Sequence, residues 1–212
     1  MDEEEEKRII RGVSPEFAMT KMDDEIHPEC EVYVEDERAG ILLKEMLCKY
    51  NREAVIRCEF VPYGAASVGI ALGQMAHKKK FPRPSCVFLD GDQEAHAGCN
   101  LLPGGDAPEI VVFNGLSANE WKGVSERIGR SHTEVVDSCK RAMAYMNHKE
   151  WIKHASEKLT IGSDSLWEAL CFCWVNYGLP EDEARQTIIA IENCLAGPIS
   201  VSATVPLQRS FL

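Results

Sequence analysis

The first half of the chain alternates short apolar segments with segments of helical periodicity, and this alternation restricts the fold more than any other feature. Residues 30–35 alternate apolar and polar side chains and end at Glu35, whereas residues 86–90 are almost wholly apolar and end at Asp90. The intervening sequence has apolar residues at helical spacing, which predicts crossover helices. A strand–helix–strand order favours a parallel sheet with right-handed connections. We therefore expect an α/β fold with a parallel sheet of about four strands flanked by helices.

The predicted elements divide the chain into a sheet-forming part and a helical part. Strands are expected at residues 30–35, 54–64, 86–90 and 109–113, helices at 37–50 and 65–79, and a turn-rich connection at 100–108. Beyond residue 116 the pattern changes, and helices are expected at 131–146, 148–159, 163–178 and 180–195. The predicted division is an acidic tail and connector at 1–29, an α/β domain at 30–116 and a helical C-terminal subdomain at 117–212.

Composition and charge limit the partners that this chain can bind. Hydrophobic residues make up 45% of the 212 residues, which suffices for a buried core, and no apolar run approaches the length of a bilayer-crossing helix. We expect a cytoplasmic protein. The net charge is −11, and residues 2–6 read DEEEE. Because an acidic surface does not attract nucleic acid, phosphodiesters would have to be held by cations or by a partner.

The cysteines do not form a recognisable metal or disulfide motif. Their number, nine, is odd, and no CxxC pair occurs. Without a secretory context, a disulfide framework is not expected. Cys171 and Cys173 lie in an apolar helical segment, where small buried hydrophobic residues are favoured over a metal site.

Four acidic residues stand at the predicted strand ends. Glu35 ends the first strand, Asp90 and Asp92 end the third, and Glu109 opens the fourth after a glycine-rich turn. If the first and third strands are neighbours, three of these carboxylates converge at one edge of the sheet. Carboxylates so close repel one another, and a divalent cation such as Mg²⁺ relieves the repulsion. Gly91 would let both aspartates face the same ion. The alternative is a solvated turn capped by aspartates.

These residues carry a resemblance to a known family. EVYVEDERAGILLKEML and VFLDGDQE resemble a Toprim domain, whose pattern is a glutamate after the first strand and DxD after the third. VPYGAASVGIALGQM and LPGGDAPEIVVF are similar to the Toprim half of OLD (overcoming lysogenization defect) nucleases, in which an ABC-type ATPase precedes the nuclease. Residues 9–29 resemble the segment that joins the two. The Toprim resemblance covers about residues 30–116, and the wider one covers most of the chain.

The resemblance implies a metal-dependent endonuclease that cuts DNA, or RNA, by a two-metal mechanism. Glu35, Asp90 and Asp92 would be the catalytic residues and metal ligands, and Glu109 would be a further ligand. The cofactor would be Mg²⁺ or Mn²⁺, as two ions. The expected setting is an oligomeric antiviral defence system in which this chain is the effector subunit and an ABC-type ATPase subunit, its partner, controls it. The alternative is a non-catalytic Toprim-fold subunit that binds and regulates such an ATPase.

The chain departs from the family pattern at several positions. Asp36 follows the first glutamate where the family commonly has glycine, and Ala39 stands where a second acidic residue is frequent, so Glu37 or Glu94 would substitute or the second site would be weaker. The family also uses a lysine near the metals, for which Lys149 and Lys153 are both candidates. The basic segment HKKKFPRP at 77–84 precedes the third strand, so it is expected at the other end of the sheet, as a solvated loop or a peripheral phosphate contact.

Overall fold

A four-stranded parallel sheet forms the centre of the part of the chain that the structure, a computed structural model, describes: residues 15–22 and 27–196. The strands are β1 (Cys30–Val34), β2 (Cys58–Pro62), β3 (Ser85–Leu89) and β4 (Cys99–Leu101). Their order across the sheet is β2-β1-β3-β4, and each neighbouring pair is parallel. The predicted fold class, a parallel α/β sheet flanked by helices with a helical C-terminal part, is confirmed.

Helices surround the sheet and make up most of the second half of the chain. They are α1 (Pro15–Met22), α2 (Glu37–Tyr50), α3 (Arg52–Arg57), α4 (Ala66–His77), α5 (Pro108–Ala118), α6 (Val124–Ile128), α7 (His132–Met143), a 3₁₀ turn (His148–Glu150), α8 (Trp151–Leu159), α9 (Ser163–Tyr177) and α10 (Glu181–Leu195). Helix α2 has its predicted bounds because the Asp36 side chain accepts a hydrogen bond from the Ala39 N–H and caps its first turn. None of the helices in the described part is both long and apolar enough to cross a membrane.

The predicted second strand was too long at its amino end. Residues 54–57 belong to α3, and the strand begins at Cys58. The side chain of Asn51 accepts a hydrogen bond from the Ala54 N–H and so starts a helical turn. This cap outweighs the strand preference of the β-branched residues that follow it.

The predicted strand at residues 109–113 is wrong, because these residues lie in α5. Pro108 occupies the first turn of the helix and Glu109 follows it, a combination that favours a helix N-terminus. Val112 and Leu116 are buried one helical turn apart. The fourth strand is β4, which begins one residue before the predicted turn-rich connection, overlaps its first two residues and has only three residues. A strand this short shows no alternation in sequence.

The C-terminal helices complete the core that the sheet begins. Helix α9 packs along α2 and also contacts α5, and one cluster of buried side chains runs from β1 to α10. Trp167 Nε1 donates a hydrogen bond to the carbonyl oxygen of Arg38 (3.0 Å), and Lys49 Nζ donates one to that of Val175 (2.7 Å). The division at residue 116 stays a prediction. The acidic run and the end of the chain lie outside the described residues.

Leu170→Ala tests whether the helical part is a structural component of the core. Leu170 is fully buried in α9, within the shared cluster. We expect the free energy of unfolding to fall by about 3 kcal/mol, because the change removes buried methyl groups and leaves a cavity. Urea denaturation followed by circular dichroism measures the loss. Ile189→Ala, at a half-exposed position of α10, is the matched control and should cost much less; equal losses would contradict the packing described.

Candidate metal centre at the carboxyl ends of β1 and β3

Strands β1 and β3 are neighbours, and this places Glu35 and Asp90 at the same edge of the sheet. The two strands are parallel, with Tyr33 paired to Val87. Glu35 is the residue after β1, and Asp90 is the residue after β3. The predicted convergence of these two positions therefore follows from the observed strand order.

Of the acidic residues at this edge, Asp90 has the surroundings that most disfavour a negative charge. Its Oδ1 atom is buried and has no hydrogen-bond partner among the residues that the structure describes. Burial raises the pKa of Asp90 to about 7, and the negative charges of Glu35, Asp36, Glu109 and Asp92 raise it as well. Without a cation nearby, Asp90 therefore holds a proton up to near-neutral pH.

Glu35 shares this acidic environment. It is half-buried, and burial is the main cause that raises its pKa. The charges of nearby carboxylates, Asp92 among them, act in the same direction, whereas Lys149 lowers the pKa. Of the two candidate lysines, Lys149 is therefore the one that acts on Glu35. It lies in the 3₁₀ turn His148–Glu150, so the helical part of the chain contributes a cation to this edge.

Gly91 has a different role from the one expected. Its φ lies outside the left-handed region, so the turn does not depend on the conformational freedom of glycine. A Cβ at this position would instead lie 2.8 Å from the carbonyl oxygen of Asp106 and 3.0 Å from that of Leu102. Glycine is needed because the connection between β4 and α5 packs directly against the DxD turn.

The remaining acidic candidates near this edge are solvent-exposed. The Oδ1 atom of Asp92 accepts a hydrogen bond from Gln93 Nε2 (2.9 Å). Asp36, at the position where the family commonly has glycine, is engaged as the N-cap of α2. Glu37 and Glu94 are both exposed. Asp92 thus keeps an accessible carboxylate beside the buried one of Asp90.

Glu109 is already paired with a cation. It is buried in the first turn of α5, and its Oε1 accepts a hydrogen bond from Nη1 of Arg38 at 2.8 Å. The same guanidinium nitrogen lies 3.0 Å from the carbonyl oxygen of Lys149. Sequence reasoning missed Arg38, although an arginine three residues after Glu35 is a signal that could have been used. The negative charge of Glu109 is therefore compensated within the protein.

Tyr63 is a second residue of this edge that sequence reasoning missed. Its hydroxyl donates a hydrogen bond to the carbonyl oxygen of Phe88 (2.9 Å). Burial, followed by the charges of Glu35 and Asp90, raises the pKa of Tyr63. The phenol is therefore a neutral hydrogen-bond donor next to the carboxylates.

The carboxylates at this edge do not form a compact ligand set. In the described part of the chain, no three of the carboxylates at Glu35, Asp90, Asp92 and Glu109 bring oxygens within 4.8 Å of one another. The buried, unpartnered oxygen of Asp90 and the surrounding negative charge are what a cation would compensate, and carboxylate oxygens are the ligands that Mg²⁺ prefers. Glu35, Asp90 and Asp92 are the candidate ligands, and their side chains would have to move closer together to share one ion.

No family model, curated protein or solved structure matches this chain. The fold and this edge define an α/β protein with a crowded acidic site at the carboxyl ends of a parallel sheet. Ligands of such sheets commonly bind at this end of the strands.

Asp90→Asn should change how stability depends on pH. Because the pKa of Asp90 is about 7 in the folded chain, above its ordinary value, protonation of Asp90 stabilises the fold at low pH, and this contribution is lost as pH rises towards 7. In EDTA at about pH 8, we expect Asp90→Asn to be more stable than the wild type by about 1–2 kcal/mol, a value reduced for solvent screening. At about pH 4 the difference should vanish.

Urea denaturation at the two pH values measures this effect, and Glu94→Gln, an exposed change two residues beyond Asp92, is the control. Mg²⁺ added at the higher pH should stabilise the wild type and not Asp90→Asn, since binding to the folded state alone raises stability. Equal stability of the two proteins at both pH values would contradict the crowding described.

Arg38→Met tests whether Glu109 depends on its ion pair. The substitution leaves a buried carboxylate without its cation, and we expect a loss of about 2–3 kcal/mol in the free energy of unfolding. The double variant Arg38→Met/Glu109→Gln removes the uncompensated charge and should recover most of that loss. A double-mutant cycle by urea denaturation measures the coupling. Additive losses would show that the two side chains do not interact.

Proposed function

We propose that the chain is a Mg²⁺- or Mn²⁺-dependent phosphodiester hydrolase, a nuclease of the Toprim class that acts on DNA or RNA. The observation that carries this proposal is the buried, unpartnered Oδ1 atom of Asp90, surrounded by carboxylates at the carboxyl ends of parallel strands. The resemblance of the strand ends to the Toprim pattern supports the same reading.

Each residue has a distinct task in the proposed reaction. Asp90 and Asp92 hold the cation, which when bound would polarise a phosphoryl oxygen and activate a water molecule. The pKa of Glu35 is raised, chiefly by burial, so its carboxylate is a stronger base than an ordinary glutamate and would accept a proton from that water. Lys149, whose charge acts on Glu35, lies where it can attract a negatively charged phosphate.

The second metal ion stays a prediction. The family pattern assigns Glu109 to it, but one oxygen of Glu109 is engaged by Arg38. We therefore take one ion held by Asp90 and Asp92, with Glu35 beside it, as the minimal active centre. In this arrangement Glu109 anchors Arg38, and Arg38 fixes the 3₁₀ turn that carries Lys149.

The proposed partner is an ABC-type ATPase subunit, and the proposed setting is an oligomeric antiviral defence complex in the cytoplasm. The partner and the setting rest on the resemblance to OLD nucleases. The net charge of −11 supports the need for a partner or cations to hold nucleic acid. None of the nine cysteines forms a disulfide, as is usual for proteins of a reducing compartment.

The second candidate is a non-catalytic role, and two features of the carboxylate edge support it. Glu109 is committed to an ion pair, and the carboxylate oxygens are not drawn together as tightly as a ready-made metal site would require. In this reading the Toprim-like fold is a scaffold through which the chain binds and regulates its ATPase.

Asp92→Ala distinguishes the two candidates. Because Asp92 is exposed, its loss should leave the fold intact while reducing Mg²⁺-dependent cleavage by about 100-fold or more. Glu94→Ala, an equally exposed carboxylate in the same loop, is the matched control and should retain cleavage. The assay uses fluorescent single-stranded DNA, double-stranded DNA and RNA, with the chain alone and with its ATPase partner.

Two results would reject the hydrolase. One is cleavage by Asp92→Ala at the wild-type rate. The other is a wild-type chain that neither cleaves any substrate with its partner present nor gains stability from Mg²⁺. The second result, combined with a stable complex with the ATPase, would establish the scaffold role.

A further inference from the structure

Cysteines from three neighbouring strands lie side by side at the amino ends of the sheet. Cys30 is the first residue of β1, Cys58 is the first of β2, and Cys86 is the second of β3. The register pairs Cys30 with Cys58 and Val32 with Cys86. Because alternate residues of a strand share a face, all three cysteines lie on the same face of the sheet.

A fourth cysteine reaches this cluster from the last helix. Cys194 is near the end of α10, and its Sγ lies 2.9 Å from Sγ of Cys30. The sulfur atoms of Cys30, Cys86 and Cys194 all lie within 4.8 Å of one another. Cys58, the register partner of Cys30, lies beside this group on the same face of the sheet. The three strand cysteines are buried, and Cys194 is half-buried.

We propose that this cluster is a thiolate site for a single tetrahedral metal ion, best Zn²⁺, with Cys30, Cys86 and Cys194 as ligands and Cys58 as the fourth. A Zn–S bond of about 2.3 Å places tetrahedral sulfur ligands about 3.8 Å apart, which small side-chain movements achieve here. An iron–sulfur cluster contains several atoms between its ligands and requires more widely spaced sulfurs. Four thiols with no other donor suit a soft or borderline ion rather than Mg²⁺.

A disulfide between two of these cysteines would explain the positions of fewer sulfur atoms than a bound metal ion would. A bond between Cys30 and Cys194 would use two of the sulfurs and leave Cys58 and Cys86 without a role. All four cysteines are free, and the sulfur atoms of Cys30 and Cys194 lie farther apart than the roughly 2.0 Å of a disulfide. Sulfurs from β1, β3 and α10 lie within 4.8 Å of one another, and this is the arrangement that a metal site requires.

The position of Cys194 gives a metal ion a route to the cluster. Cys194 is half-buried, whereas the strand cysteines are buried. A surface pocket of about 390 Å³ reaches Cys194 and is also lined by Lys79 and Arg83. A Zn²⁺ ion bound by four thiolates carries a net negative charge, and these two positive side chains would lie near it. The pocket gives a metal ion access to the cluster.

The site is independent of the proposed hydrolase. It lies at the amino ends of β1 and β3, whereas the carboxylates follow their carboxyl ends. Its role is to join α10 to three strands, a link between elements far apart in the sequence. The segment HKKKFPRP lies at this end of the sheet, as predicted, and five of its residues line the entry pocket.

Metal content measured on the full-length chain tests the proposal. Protein loaded with Zn²⁺ and dialysed should retain about one Zn²⁺ per chain by mass spectrometry of the metal. Cys194→Ser, at a half-buried position near the end of a helix, should retain less than about a tenth of that amount. The controls, which should bind as the wild type does, are Cys48→Ser, at an exposed cysteine of α2, and Cys99→Ser. Cys99 is half-buried and pairs with Val87, so it lies on the opposite face of the sheet from Cys86.

Two further measurements keep the proposal falsifiable if Cys194→Ser misfolds. The wild type loaded with Co²⁺ should show the visible spectrum of a tetrahedral thiolate complex, and Cys58→Ser should alter it. A chelator should lower the melting temperature of the wild type by several degrees, since metal binding stabilises the folded state.

The proposal is overturned if the loaded wild type retains no Zn²⁺ and its melting temperature does not respond to the metal. Full metal retention by Cys194→Ser, or a Cys30–Cys194 disulfide found in the non-reduced protein by peptide mass spectrometry, would also overturn it. None of these results bears on cleavage by the carboxylate edge, so the two proposals fail separately.

Discussion

The parallel pairing of β1 with β3 is the constraint on which both ends of this molecule depend. In a parallel sheet all strands run in one direction, so every strand begins at one edge and ends at the other. The pairing brings Glu35 beside the turn of Asp90 and Asp92 at the carboxyl ends. The same register brings Cys30 and Cys86 onto one face at the amino ends. A slip of one residue between these strands would separate both groups.

Polar groups of one kind lie close together at each edge, carboxylates at one and thiols at the other. The helical half of the chain contributes side chains that contact or compensate both groups. At the carboxyl ends, the helical half supplies Lys149, whose charge acts on Glu35 and whose backbone carbonyl accepts a hydrogen bond from Arg38. Arg38, from α2, pairs with Glu109. At the amino ends, α10 delivers Cys194 to the strand cysteines. The carboxylate oxygen of Asp90 stays uncompensated by the described residues, and this makes it the strongest indication of a ligand.

Features that depend on local signals could be predicted from the sequence. Features that depend on contacts between distant parts of the chain could not. Helix α2 was predicted with its true bounds because an N-cap and a buried stripe coincide there. Residues 109–113 were assigned to a strand because a short apolar run has no decisive periodicity; Pro108 was the signal for a helix. The meeting of Glu35 with Asp90 needed only the strand order. The cysteine cluster needed the register of three strands and the position of the last helix, which no spacing in the sequence reveals.

The distance between the two edges determines how they can influence each other. Strands of five residues, such as β1 and β3, are about 16 Å long. At physiological ionic strength this exceeds the screening length of about 8 Å, so direct electrostatic coupling between the edges is weak where solvent intervenes. Any effect of one edge on the other therefore passes through the shared strands. A metal at the cysteines would fix the amino ends of β1 and β3, and rigid strands position the carboxylates that follow them more accurately than mobile ones would.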